Sequence, residues 1–169
     1  MIDISLLSNI YTVRILNEND IPDIVSLCLD HPLFYEYTSV RPTAGQVRTD
    51  MTALPPGKTE ADKYYAGFFD DDGLIAVIDL IDGYPDSDTA FIGFFMVRKD
   101  LEGKGIGSSL INEVTRTLSK AGFCRIRLCI NEGNPQSGHF WEKQGFRLLE
   151  RYIRDDGSVW LAEKTIGQN

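Results

Sequence analysis

The stretch Val97-Arg98-Lys99-Asp100-Leu101-Glu102-Gly103-Lys104-Gly105-Ile106-Gly107-Ser108-Ser109-Leu110 decides how the rest of the chain reads. An apolar run over residues 90–97 predicts a strand, and Leu110, Ile111, Val114 and Leu118 recur at helical spacing beyond the loop. Three alternating glycines lie between the two. Without Cβ atoms, Gly103, Gly105 and Gly107 let backbone N–H groups converge on an anion, and the helix that follows aims its positive dipole end at the same point. A phosphorylated cofactor is the expected guest.

Spacing discriminates among phosphate loops. The hydrolase pattern of Gly, four residues and Gly-Lys-Ser/Thr fails, because Arg98 occupies its first glycine and Gly105 follows Lys104. The dinucleotide pattern G-x-G-x-x-G fails at Ser108. Glu102-Gly103-Lys104-Gly105-Ile106-Gly107 instead resembles the acetyl-coenzyme-A loop of the GNAT superfamily of N-acetyltransferases, Gln/Arg-x-x-Gly-x-Gly/Ala, with Glu102 where the family carries Gln or Arg. A carboxylate repels a diphosphate, so its side chain is expected to point away and cofactor affinity to be weakened.

A second segment, Asn134-Pro135-Gln136-Ser137-Gly138-His139-Phe140-Trp141-Glu142-Lys143-Gln144-Gly145-Phe146, is similar to the family's other signature, Asn-x-x-Ala followed by Tyr-x-x-x-Gly-Phe. Its residues explain themselves locally. Asn134 is an N-cap, Pro135 suits the first helical position and Gly145 suits a left-handed end, which predicts a helix over 135–144.

Around these two segments the chain reads as one domain of 169 residues with its core over about 11–165. Strands are expected over 13–16, 64–69, 74–81, 90–97, 124–130, 146–153 and 159–164. Hairpin turns fall at Asp72-Gly73 and Asp156-Gly157. A helix capped by Asp20 runs to about residue 30, an aromatic loop covers 31–41, and Thr43 caps a second helix. The order β-α-α-β-β-β-α-β-α-β-β is that of the GNAT fold. The expected class is therefore mixed α/β (α+β), a central sheet of about seven strands flanked by about four helices. Residues 1–10 lie outside the resemblance.

Composition narrows the function classes. Nine Phe, seven Tyr and two Trp within a 43% apolar chain support a packed globule. A net charge of −8 disfavours nucleic acid and favours a cationic partner such as an amine. Cys28, Cys124 and Cys129 have no metal-ligand spacing and read as reduced thiols, and two histidines, His31 and His139, leave no zinc site in view. The start Met1-Ile2-Asp3-Ile4 carries no basic stretch with an apolar core, and no apolar run approaches the roughly 18 residues of a membrane span. A cytoplasmic location is expected.

The resemblance implies an acetyl-CoA-dependent transfer of an acetyl group to a primary amine, on a small molecule or a peptide, by direct attack. It places the cofactor between the strands over 90–97 and 124–130, with Gly93 consistent with a bulge that helps them part. Cofactor contacts are expected at Phe95, Met96, Val97, Gly103, Lys104, Gly105, Ile106, Gly107, Ser108, Asn134 and Trp141. Backbone N–H near Phe95, Met96 or Val97 would face the developing oxyanion. Trp141 occupies the place of the tyrosine the family often uses as general acid. An indole N–H is a donor and not a practical acid, so Trp141 either hydrogen-bonds the cofactor or packs against the core. Asp79, lone in an apolar strand, and Glu132 are candidate bases, and the alternative for Asp79 is a hydrogen-bonded structural group. Tyr35, Tyr37 and Tyr84 lie on loops that could line an acceptor pocket. The rival reading is a coenzyme-A-binding regulatory module without turnover. A homodimer stays open.

Overall fold

A computed structural model of the protein describes residues 1–155 and 157–167. Seven strands form one sheet in the order β1-β2-β3-β4-β5-β7-β6. They span Thr12–Ile15 (β1), Lys63–Asp70 (β2), Gly73–Ile81 (β3), Thr89–Val97 (β4), Arg125–Asn131 (β5), Arg147–Arg154 (β6) and Gly157–Thr165 (β7). Neighbours are antiparallel except β4 and β5. Five α-helices cover Ile21–Leu29 (α1), Pro32–Tyr35 (α2), Ala44–Thr52 (α3), Ile106–Lys120 (α4) and Pro135–Lys143 (α5). The helix beyond the expected four is α2, a single turn set by Pro32 inside the segment read as an aromatic loop. The turn expected at Asp156-Gly157 has its first residue outside the described residues.

The apolar face read into α4 is realised completely: Leu110, Ile111, Val114 and Leu118 have no solvent exposure. Each contributes on the order of 1.5–3 kcal/mol of burial. They pack on Ala90, Ile92, Ile126 and Leu128 of the central strands, on the sheet face shared with α5. The opposite face is covered by α1 and α3 through Ile24, Leu27, Val47, Val77 and Met96. The N-terminal segment is built into this core. Leu7 is fully buried, and the Ser8 hydroxyl donates to the buried Glu113 carboxylate of α4 at 2.7 Å.

The cap of the first helix differs from its sequence reading. The Asp20 side chain makes no cap bond to α1. It accepts from Asn17 N at 2.8 Å and from the Arg14 guanidinium at 2.7 and 2.8 Å, inside a preceding turn over Glu18–Asp20 that Asn17 caps. The Arg14 guanidinium holds the Asp20 carboxyl below its usual range. A lowered folded-state value adds stability above the unfolded value and loses it as the pH falls through the folded one. Asp20→Asn should therefore cost about 1–2 kcal/mol at pH 7, with the half-exposed Arg14 limiting the loss. In thermal melts, the gap between variant and parent should close as the pH falls below about 4.

Candidate functional site

The parallel pair β4 and β5 is joined for only part of its length. Register runs from Thr89↔Arg125 to Ile92↔Leu128 and stops. On its other side β4 carries a bulge: Asp79 pairs Phe94 and Leu80 pairs Ile92, so Gly93 is left over. Past that point the strands part, and a cleft of about 620 Å³ opens in the fork. Its size is that of a ligand site. The bulge expected at Gly93 is thus present. It is also a close approach, because a Cβ there would lie 2.5 Å from Asp79 Oδ2.

At one end of the cleft lies the glycine loop. Gly103 and Gly105 take φ of +73° and +78°, a region that side chains resist, whereas Gly107 is helical and lacks a Cβ for a different reason. A Cβ at Gly107 would press within 3.3 Å of the Phe140 ring. Among the described residues, no protein acceptor takes the amide N–H groups of residues 103–108. They crowd the N-terminus of α4, so the loop offers donors and positive potential with nothing in the chain to use them. That donor set fits an acceptor-only anion such as a diphosphate. Gly103, Gly105, Ile106, Gly107 and Ser108 line the cleft, and Lys104 does not. The Ser108 hydroxyl accepts from the buried Gln144 amide at 2.8 Å, which ties the loop to the end of α5.

Phe95, Met96 and Val97 line the cleft from β4, and Asn134 and Trp141 from α5. The Asn134 side chain accepts from Ser137 N at 3.1 Å, so it caps α5 as its sequence position implied. Trp141 is 7% exposed and sits edge-on to Phe140, Phe146 and Phe95 at centroid distances of 4.9, 5.1 and 6.0 Å. These rings join the β4 wall to α5 and form an apolar floor.

Glu102 does not stand free beside the loop. It takes hydrogen bonds from Lys99 and, at 3.4 Å, from Gln136, and one oxygen lies 3.2 Å from His31 Nδ1. His31 Nε2 lies 2.8 Å from the carbonyl of Val97. Both ring nitrogens thus face acceptors, and both contacts are hydrogen bonds only in the doubly protonated ring. Sequence reading missed His31 in this role. It is far from the glycine loop along the chain, and only the fold brings it under the end of β4.

The candidate bases are placed very differently. Asp79 is itself outside the cleft lining, but it lies directly beneath Gly93, which lines the cleft, and both its oxygens accept from Lys63 at 2.8 Å. Burial pushes the Asp79 carboxyl up, Lys63 draws it back, and Asp50 pushes it up again. Glu132 is instead locked to Arg151 by two bonds of 2.7 Å outside the cleft lining, and that guanidinium holds its carboxyl below the usual range. The structure does not bring Glu132 to the site.

Nor do the three tyrosines line the cleft. Tyr35 packs edge-on to Phe34 beside Cys28, where burial pushes its phenol up. Tyr37 rests on Gly133, and Tyr84 stacks edge-on to Phe91 at 5.6 Å. The aromatic residues that line the cleft besides Phe95, Phe140 and Trp141 are Phe34, Phe91 and Phe94. The signal for Phe91 and Phe94 was available, since Phe94 follows the bulge glycine directly and Phe91 stands two residues before it.

The sequence profile of the acetyltransferase (GNAT) family matches residues 31–146. No curated protein sequence matches the chain significantly. Among solved structures, an acetyltransferase from Thermus thermophilus superposes with a TM-score of 0.73 at 19% identity, covering 92% of this chain and 96% of that one. PaiA N-acetyltransferase from Thermoplasma acidophilum, in complex with coenzyme A, gives 0.67 at 20% identity over 92% and 98% of the two chains. A variant of spermidine N-acetyltransferase SpeG from Vibrio cholerae gives 0.65 at 16% identity over 94% and 95%. At these identities the likeness is one of fold. Among the described residues, no helix is long and apolar enough to cross a membrane.

Proposed function

The chain belongs to the GNAT acetyltransferase family, and from that membership we propose that it transfers the acetyl group of acetyl-CoA to a primary amine bound on the α1/α3 side of the fork. The observation that carries the reading is the row of amides over residues 103–108, unpaired among the described residues, at the mouth of the gap between β4 and β5. When bound, acetyl-CoA supplies an acetyl thioester whose thiol, near pKa 8.5, leaves without an acid from the protein.

The chain's own residues then divide the work. The loop amides and the start of α4 hold the diphosphate, and the β4 edge released from β5 over residues 93–97 offers N–H and C=O groups to an extended arm. An N–H among Phe95, Met96 and Val97 faces the oxyanion. Asp79 takes the proton of the attacking amine across Gly93. Its burial raises its carboxyl toward the pH at which a base works, and Lys63 opposes part of that rise. Trp141 serves as a wall and moves no proton.

Thiol released from acetyl-CoA against a broad panel of primary amines tests this directly. Turnover with at least one amine is expected. Tight cofactor binding with no turnover on any of them would rule the enzyme reading out. Trp141→Phe should keep kcat within about fivefold, because Phe preserves the edge-on contacts and no proton passes through the indole. A loss beyond about a hundredfold would instead assign the indole a donor role.

A further inference from the structure

Arg154, at the hairpin end of β6, is the one guanidinium in the cleft lining among the described residues, and nothing in the acetyl-transfer chemistry described above uses it. Among the described residues its hydrogen-bond partner is the Cys129 sulfur at 3.8 Å, a weak acceptor. Arg127 and Arg125 on β5 are committed to carboxylates. Arg127 donates to Glu163 at 2.6 Å, and Arg125 holds Asp86 and Asp88.

Register locates this guanidinium. Ile92 and Leu128 are the last paired residues of β4 and β5, so Gly93 and Cys129 face each other across the first step of the fork. Arg154 reaches back over Cys129, on the lip opposite Asp79 and Gly93. An acceptor amine delivered to Gly93 thus has a cation across the fork, on the Cys129 side. Phe91 and Phe94 supply apolar surface on the near side.

The charge of the cleft runs against that of the chain. The chain is −8 overall, yet Glu102 is the only carboxylate in the cleft lining among the described residues and is already engaged by Lys99, Gln136 and His31, while Asp79 beneath Gly93 has its charge matched by Lys63. Lys143 and Arg154 are the lining's permanent cations. Long-range attraction for any amine therefore ends in a pocket that would repel a second ammonium and welcome an anion. Building on the acetyl-transfer reading, we infer that the acceptor is a small amino-carboxylate, an amino acid in its free form, whose carboxylate pairs with Arg154 while its amine meets Gly93. A planar guanidinium with no other ionic partner among the described residues is suited to a carboxylate. In the transfer, the amine nitrogen gains the acetyl carbon and loses one proton to Asp79 while the displaced sulfur departs as thiolate.

The test compares the common amino acids and short ω-amino acids with their carboxamides and with spermidine, scored by thiol release from acetyl-CoA. At least one amino acid should exceed its own amide by thirtyfold or more in kcat/KM, and spermidine should be poorer still. Arg154→Ala should erase that preference by raising KM for the acid while leaving the amide unchanged. Calorimetric titration of the preferred acid into the coenzyme-A-loaded protein should show the same loss of affinity, independently of turnover. Amides or spermidine matching the acids, or Arg154→Ala depressing acid and amide alike, overturns the inference and leaves acetyl transfer standing. Silence across the whole panel counts against acetyl transfer itself.

Discussion

Gly105→Val should abolish useful binding of acetyl-CoA, raising Kd by a hundredfold or more in calorimetric titration. Gly105 takes φ of +78° immediately before α4. A β-branched residue resists that conformation, and relieving it by rotation re-aims the amides of residues 103–108 away from a common centre. A new Cβ would meet no protein atom within 4 Å, so there is no collision in the core to unfold the chain. The variant should lose only about 1–3 kcal/mol of stability, a few degrees in melting temperature. A hundredfold weaker Kd corresponds to about 2.7 kcal/mol of binding, a share of the total that a row of converging donors can supply. A folded Gly105→Val protein with parental affinity would mean that the diphosphate is held elsewhere.

Asp79→Asn should lower kcat by about a hundredfold to ten-thousandfold while leaving the Kd of acetyl-CoA unchanged. A base must be unprotonated to act, so the parent should lose rate on the acid side as Asp79 takes up its proton. Burial and Asp50 raise that transition above the ordinary carboxylate range near 4. The variant's pH profile should lack this limb. Lys63 complicates the experiment, since its ammonium is 5% exposed and Asp79 is its partner. Stranding it costs several kcal/mol, which could mimic a catalytic loss by unfolding the protein. Asp79→Asn combined with Lys63→Met removes the stranded charge. If Asp79 is a proton acceptor, the double variant regains stability and stays slow. Recovery of both stability and rate would reduce Asp79 to a structural counter-ion.

Much of the fold was legible because its cues are local. Leu110, Ile111, Val114 and Leu118 announce the buried face of α4 by spacing alone, and Asn134, Pro135 and Gly145 mark both ends of α5. The loop over residues 103–108 and the bulge at Gly93 were readable for the same reason, since glycine is needed where backbone must turn or approach closely. What escaped was long-range. His31 reaches Glu102 and Val97, Gln144 reaches Ser108, and Arg154 reaches Cys129, all between segments distant in the chain, and no periodicity encodes such pairings. Glu132 shows the reverse error. Its place after β5 looked suitable, but Arg151 on β6 is two strands away in the sheet and adjacent in space. At Gly107 residue type carries a second message, since the missing Cβ also makes room for the Phe140 ring.

Titrating the protein in parallel with acetyl-CoA and with acetyl-pantetheine, which keeps the thioester arm and lacks the diphosphate, tests the central claim most directly. Acetyl-CoA should bind at least a hundredfold more tightly, and Gly105→Val should bring the two ligands together. Equal affinity of the parent protein for both would contradict the assignment of residues 103–108 as the grip on the cofactor.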